Sequence, residues 1–242
     1  MNEPDAVEVE PVAKEPFFRA PKVVLILIAV LVGVHVAISL AGDHWRVWSL
    51  YAFSFVPARI TGDQPFQLIP GSQIWTFLTY AFLHGNWPHL FSNSIWLLIF
   101  GSIVARRLHT FKFLVLAGIS AIAGAASMLV THWGDGGYVI GASGAVSGVM
   151  AAAIPLMFGG GMRLGDTYKA DLAAVRPLKF FEIFTHRGAF FFTAILFAVT
   201  LYSGATGWTG TSYLEYDRIA WEAHLGGFVA GFIAFYWLDR RN

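Results

Sequence analysis

Six hydrophobic stretches divide this chain, and each is long enough, or nearly so, to cross a lipid bilayer as a helix. The hydrocarbon core of a bilayer is about 30 Å thick and a helix rises about 1.5 Å per residue, so one span takes about 20 residues. The sequence therefore predicts an all-α membrane protein with six transmembrane helices. The predicted spans cover residues 23–41, 88–105, 113–131, 143–158, 189–206 and 219–238.

The composition supports a membrane protein and excludes several other classes. Of the 242 residues, 56% are hydrophobic and 13% are charged, which is more apolar than one soluble core requires. The formal net charge of +1 gives no reason to expect a nucleic-acid partner. The chain contains no cysteine, so disulfides, thiolate nucleophiles and cysteine-based metal sites are excluded.

The lysines and arginines between the spans are distributed unevenly. Thirteen of the sixteen fall in the N-terminal tail, the 2–3 turn, the 4–5 loop and the C-terminal end, all on one side of the predicted membrane. Only Arg46, Arg59 and Arg218 fall on the other side. Because positive residues are retained in the cytoplasm, we expect both termini to be cytoplasmic. A six-span core with so little added to it makes the bacterial inner membrane the default location, with an organelle membrane as the alternative. Residues 1–22 are acidic and contain proline, which predicts a short disordered tail before a six-span domain over 23–242.

The first connection between spans, residues 42–87, is too long for a simple turn and too apolar for a disordered loop. Aromatic rings favour the boundary between lipid and water, so we expect this segment to lie embedded in the outer interface. The 4–5 loop, residues 159–188, is basic and is expected to be a solvated connection. The aromatic residues of the first loop include Trp45, Trp48, Tyr51, Phe53, Phe55, Phe66, Trp75, Phe77, Tyr80 and Phe82.

The fourth span opens with small residues, and Ser143 lies where its helix should begin. A helix start presents unpaired N–H groups and the positive end of the peptide dipole, which stabilise an oxyanion beside a serine nucleophile. Small residues four apart, here Gly144, Gly148 and Ala152, also pack membrane helices, and packing is the commoner explanation of such a stripe. Ser143 is therefore a candidate nucleophile only if a base lies at the same depth.

His224 is a candidate for that base. It lies about five residues inside the sixth span, and Asn93, close to His89, lies about five residues inside the second. The fourth span has only sixteen residues, so Ser143 should begin below the membrane surface, at the depth of the other three side chains.

A second stripe of small residues, Ala223, Gly227 and Gly231, matches the first and predicts close contact between spans four and six. Ser143 and His224 each lie one position beside their stripe, so this contact would bring the imidazole near the hydroxyl. Glu222 projects from the opposite helical face to His224, which favours a Ser–His dyad over a triad.

Other intramembrane chemistries lack their residues in this sequence. An aspartyl protease needs two carboxylates within spans, and a zinc protease needs a pattern such as His-Glu-x-x-His. A proton-coupled transporter usually shows an intramembrane acid and broken helices in paired halves. None of these features is found in the sequence.

The polar motifs, taken together and in this order, resemble those of the rhomboid intramembrane serine proteases. The resemblance covers roughly residues 70–240. The motifs are His84-Gly85-Asn86-Trp87-Pro88-His89-Leu90-Phe91-Ser92-Asn93, then Gly141-Ala142-Ser143-Gly144, then Ala223-His224 with Gly227 and Gly231.

The resemblance implies a six-span rhomboid-type bundle in which Ser143 is the nucleophile and His224 is the general base and then acid. It implies an oxyanion hole made of the backbone N–H groups of Ser143 and Ala142 with the side chains of His89 and Asn93. It implies a first loop embedded in lipid, gating by span five and the 5–6 loop, and single-span membrane proteins as substrates. It implies no metal or other cofactor.

Two alternatives to an active protease remain open at the level of the sequence. One is a catalytically inactive rhomboid-like adaptor that binds transmembrane helices in the same groove. The other is a bundle in which the small-residue stripes serve packing alone. Many family members have an aromatic residue, supporting the histidine, at the position where this chain has Ser147, so the way His224 is held should differ here.

Overall fold

A computed structural model gives the fold and describes residues 20–62, 69–160, 171–206 and 220–240. Over these ranges the chain is helical, apart from connections and one antiparallel bridge between Phe55 and Val139. The α-helices are α1 (Lys22–Ala41), α2 (Asp43–Phe53), α3 (Ala58–Thr61), α4 (Ser72–Thr79), α5 (Trp87–Trp96), α6 (Ser102–Thr131), α7 (Ser143–Met157), α8 (Glu182–Thr185), α9 (Arg187–Thr206) and α10 (Trp221–Leu238). A 3₁₀ turn at Tyr80–Phe82 precedes α5, and a wide π-type turn at Leu97–Gly101 joins α5 to α6.

Within the described ranges, two helical stretches are long and apolar enough to cross a membrane, Lys22–Ala41 and Trp87–Thr131. The second has 45 residues, and its path breaks at His109, whose φ of 60° lies outside the right-handed helical region. This break separates the second predicted span from the third. Ser143–Met157 and Arg187–Tyr202 are apolar but shorter, so helix length and composition confirm an all-helical chain without confirming six crossings.

Several sequence predictions fall on residues outside the described ranges. They are the acidic tail up to residue 19, Phe66 in the first loop, the middle of the 4–5 loop over 161–170, and the 5–6 loop with Arg218.

Helices α6, α7 and α10 pack together at the centre of the fold. A Cβ on Gly227 of α10 would overlap the carbonyl of Gly144 in α7, and one on Gly231 would overlap Gly148. The Ser120 side chain of α6 also lies against Gly148, so all three helices meet at this glycine. The helices can approach this closely because no side chain separates their backbones, which is the kind of contact that stabilises helices in lipid.

The first loop contains an exposed part and a buried part. The rings of α2 at Trp45, Trp48 and Tyr51 are exposed, as expected of a segment at a membrane interface. Phe55 and Tyr80 are buried in a cluster with α6 and α10, which differs from the expectation that the whole loop lies in the interface. Burying two large rings draws this part of the loop into the helix bundle.

The described part of the 4–5 connection, residues 171–188, is mostly exposed but is anchored to the bundle near Leu172. Leu172 is buried, and the guanidinium of Arg107 donates to the carbonyls of Leu172, Ala173 and Val175 at 2.8 to 2.9 Å. The same guanidinium pairs with both carboxylate oxygens of Asp239, at 2.6 and 2.9 Å. These bonds attach residues 172–175 to α6 through backbone carbonyls, and a basic sequence pattern does not reveal such a contact.

Candidate active site

Ser143 is the first residue of α7 and is half-buried. The preceding turn depends on Gly141, whose φ of 117° lies where only glycine is readily accommodated. The N–H of Gly141 donates to the carbonyl of Tyr80 at 3.0 Å, which ties the turn to the first loop. The first N–H groups of α7 have no partner within the helix, so they are available to a negatively charged oxygen beside Ser143.

His89 lies in the first turn of α5, and local capping positions it. The Asn86 side chain accepts a hydrogen bond from the backbone N–H of His89 at 2.8 Å, and Pro88 fits the first turn because its missing N–H is not needed there. The imidazole lies against Gly141. A Cβ on that glycine would be 2.6 Å from Cε1 and 2.7 Å from Nε2 of His89. The ring therefore faces the turn that leads into Ser143.

Asn93 lies one turn further along α5 and is buried. Its Nδ2 donates to the backbone carbonyl of His89 at 3.0 Å. A primary amide has two N–H donors, so this bond engages one of them and leaves the other for a further acceptor.

His224 lies in the first turn of α10 and is half-buried. The carbonyl of the preceding residue, Ala223, lies 3.4 Å from the position that a Cβ on Gly144 would take. The two helix starts therefore meet at Gly144 and Ala223, whose neighbours are Ser143 and His224. No hydrogen bond joins the two side chains in the described part of the chain. Catalytic hydrogen bonds are often loose without substrate and tighten in the complex.

A cavity of about 50 Å³ adjoins the imidazole of His224. Ser147 and Met150 of α7 line it, facing Leu196 and Thr200 of α9. Ser147 and His224 thus line the same cavity, together with residues of α9 and α10.

The site contains little charge. Glu222, the carboxylate closest to His224 in sequence, lies 3.7 Å from Nε2 of His132 and so is directed to α6. Over the described ranges, no group of three or more histidine or acidic side chains is placed to hold a metal ion. The chemistry that these residues offer is that of a hydroxyl, an imidazole and hydrogen-bond donors.

Two residues that the sequence did not single out for the site complete its surroundings. His84, in the loop before α5, is buried with its ring centroid 5.0 Å from that of His89. Burial lowers the pKa of His84 to about 3, and electrostatic repulsion from His89 and then from His35 lowers it in the same direction. The ring is therefore neutral and can accept a hydrogen bond. The N–H of Ala142, predicted as an oxyanion donor, is directed at Nε2 of His84 over a long 3.5 Å.

Tyr80 is the other such residue. Its hydroxyl donates to the carbonyl of Ala121 in α6 at 2.9 Å and lies against Gly144, the residue after Ser143. The sequence placed Tyr80 among the interfacial aromatics because composition does not distinguish a buried ring from an exposed one. Tyr80 is far from Gly144 in the sequence, so no local pattern indicates that the two residues are in contact.

Comparison with known proteins adds family evidence to this geometry. Residues 71–241 match the rhomboid domain. The chain is 29% identical over 108 residues to the rhomboid protease GlpG of Salmonella paratyphi A, and equally to those of Salmonella typhi and Salmonella newport. Each match covers 43% of this chain and 33% of the relative, so only about a third of each relative is compared. Because the domain match covers more than half of this chain, the chain belongs to the rhomboid family.

Proposed function

We propose that this protein is an intramembrane serine endopeptidase that cleaves transmembrane segments of other membrane proteins. Ser143 is the nucleophile and His224 is the base. The observation that carries the proposal is the contact of Ala223 with Gly144, which brings the starts of α7 and α10 together. Membership of the rhomboid family and the similarity to proteins named rhomboid proteases support the same chemistry.

The reaction proceeds in two halves that use the same two side chains. His224 takes the proton of the Ser143 hydroxyl as its oxygen attacks the carbonyl carbon of the scissile bond. The tetrahedral intermediate collapses when His224 protonates the leaving amine, which leaves an ester on Ser143. A water molecule, deprotonated by His224, then attacks the ester carbonyl and releases the second product together with the free serine.

Developing charge on the carbonyl oxygen needs donors arranged in advance. The backbone N–H of Ser143 is at the start of α7, His89 faces the turn before it, and Asn93 has a second N–H that its bond to His89 does not use. The N–H of Ala142 is the weakest candidate of the predicted set because it points toward His84.

The proposal places six spans in the membrane, with both termini in the cytoplasm and the dyad near the outer face. Residues 1–22 form a cytoplasmic tail, and the bacterial inner membrane is the proposed location. Substrates are single-span proteins cut at small residues, and α9 with the 5–6 loop controls their access to Ser143. The distribution of lysine and arginine supports this orientation, and membership of the rhomboid family supports the substrate class.

Cleavage of a single-span test substrate in proteoliposomes tests the proposal. The wild-type protein should release two fragments, whereas Ser143→Ala and His224→Ala should release none at equal amounts of folded protein. Ser39→Ala, an equivalent change on α1, is the matched control and should cleave normally. Undiminished cleavage by Ser143→Ala would contradict the assignment, and substrate binding without cleavage by the wild type would favour the inactive adaptor.

A further inference from the structure

One pair of charged side chains joins the C-terminal end of α6 to the first turn of α10. Nε2 of His132, the residue that caps α6, lies 3.7 Å from Oε1 of Glu222. The two side chains are 35% and 12% exposed, so solvent reaches the pair only in part. One turn further along α10, a Cβ on Gly226 would overlap the side chain of Ser127 in α6. The pair therefore lies at the end of a close contact between the two helices.

The hydrogen bonds around His132 determine which ring nitrogen carries a proton. Oγ1 of Thr131 lies 2.9 Å from the carbonyl oxygen of Ser127 and 2.9 Å from Nδ1 of His132. A carbonyl has no proton to donate, so the hydroxyl donates to Ser127 and its oxygen accepts from Nδ1–H. A neutral imidazole has only one N–H, and with that proton on Nδ1 the other nitrogen is an acceptor. Nε2 can therefore donate to Glu222 only when His132 is protonated.

The two helix ends favour the charges of this pair. The C-terminal end of a helix is partly negative and stabilises a protonated histidine, whereas the N-terminal end is partly positive and stabilises a carboxylate. His132 and Glu222 occupy these two positions in α6 and α10. The N-cap of α10 is Ala220, whose side chain cannot accept a hydrogen bond from the helix start. The pair is thus well placed to hold the first turn of α10, which contains His224.

The other titratable groups around this end of α6 have contacts of their own in the described part of the chain. The carboxylate of Asp135 accepts from the N–H two residues further on at 2.9 Å. The guanidinium of Arg59 and the hydroxyl of Tyr80 both donate to backbone carbonyls. The imidazole of His224 lines the cavity beside α9. Neither α4 nor α7 contains a titratable side chain.

We propose that His132 and Glu222 are positioning residues for His224, and that they attract each other through a hydrogen bond only when His132 is protonated. The inference rests on the proposed function, in which His224 is the base. The proton comes from solvent, to which His132 is partly open. When it leaves, Nε2 no longer donates and the first turn of α10 loses this contact. Because histidine side chains change charge between about pH 5 and about pH 8, the pair makes cleavage respond to pH in that range.

Cleavage kinetics of the full chain in proteoliposomes test the positioning role at about pH 6 and about pH 8.5, on either side of most of this range. At the lower pH, Glu222→Gln should reduce kcat by about threefold and leave KM unchanged, because a partly exposed ion pair contributes little more than that. At the higher pH, Glu222→Gln and the wild type should have equal kcat values.

His132→Lys keeps a positive charge at both pH values. Its kcat should therefore exceed that of the wild type by about threefold at the higher pH, a gain that a merely structural histidine would not produce. His44→Lys, at an exposed position of α2, is the matched control and should leave kcat unchanged. An equal loss of kcat in Glu222→Gln at both pH values would overturn the proposal, as would a change confined to KM.

A measurement that does not need catalysis separates this inference from the proposed function. The melting temperatures of His132→Gln, Glu222→Gln and the double variant form a cycle whose coupling should be present at the lower pH and absent at the higher. If the wild type cleaves at neither pH, the proposed function fails and the positioning role fails with it. Coupling that is the same at both pH values would overturn the dependence of the pair on protonation of His132.

Discussion

Gly227 of α10 lies so close to Gly144 of α7 that a methyl group on Gly227 would overlap the carbonyl of Gly144. Ser143 directly precedes one of these glycines, and His224 lies about one helical turn before the other. The distance between the two helix backbones therefore sets the relation between the proposed nucleophile and its base.

Gly227→Ala should separate α7 from α10, because the added methyl has no space. We expect the free energy of unfolding to fall by about 1 to 3 kcal/mol and cleavage to be lost. Gly118→Ala in α6 is the matched control, since a Cβ there would have nothing within 4 Å. Thermal unfolding and substrate cleavage measure both effects. An active and fully stable Gly227→Ala would show that the contact is not needed.

Asn93→Ala should slow the chemical step without abolishing it. Loss of one oxyanion donor raises the activation free energy by about 2 to 4 kcal/mol, so kcat should fall while KM changes little. Ser92→Ala, at the exposed neighbouring position, should cleave at the wild-type rate. An unchanged kcat for Asn93→Ala would remove this residue from the oxyanion hole.

Asp239→Asn should destabilise the fold strongly. The Arg107 and Asp239 side chains are only 4% and 13% exposed, and removing one charge leaves the other buried without its partner. Such a loss costs about 3 to 5 kcal/mol in the free energy of unfolding. Arg176→Gln breaks a 3.9 Å pair with Glu182 whose side chains are 72% and 41% exposed, so it should cost at most about 1 kcal/mol. Similar losses in both variants, measured by chemical denaturation, would contradict this account.

His84 should make stability depend on pH. Burial lowers its pKa from 6.5 to about 3, so between these values the unfolded chain binds a proton that the folded chain does not. Stability is therefore full above pH 6.5 and decreases as the pH falls toward 3. His84→Gln should flatten the change in melting temperature between about pH 7 and about pH 5, whereas His44→Gln at an exposed position should not. Equal slopes for His84→Gln and the wild type would refute the role of His84.

The sequence could predict where the helices lie, because an apolar run long enough to cross lipid must satisfy its own backbone hydrogen bonds, which a helix does. The runs predicted over 23–41 and 143–158 correspond to α1 and α7. The two small-residue stripes also lie where α7 and α10 approach each other closely, at Gly144 with Gly227 and Gly148 with Gly231. Spacing alone carries this information, because four residues return a helix to nearly the same face.

The contacts of Tyr80 and Arg107 could not be predicted in the same way. Both side chains donate to backbone carbonyls, and every residue has such a carbonyl, so no residue type marks the partner. The break at His109 also occurs without glycine or proline beside it. These features depend on how helices that are far apart in the sequence pack together, and the spacing of hydrophobic residues along one helix does not predict that.

Reaction of the folded protein with a fluorophosphonate probe tests the central claim most directly, because such probes label serines activated by a nearby base. The account predicts one phosphonylated residue, Ser143, identified by peptide mass spectrometry, and loss of the label in His224→Ala but not in Ser39→Ala. An unlabelled Ser143 in folded wild-type protein, or labelling that persists in His224→Ala, would contradict a Ser143–His224 dyad.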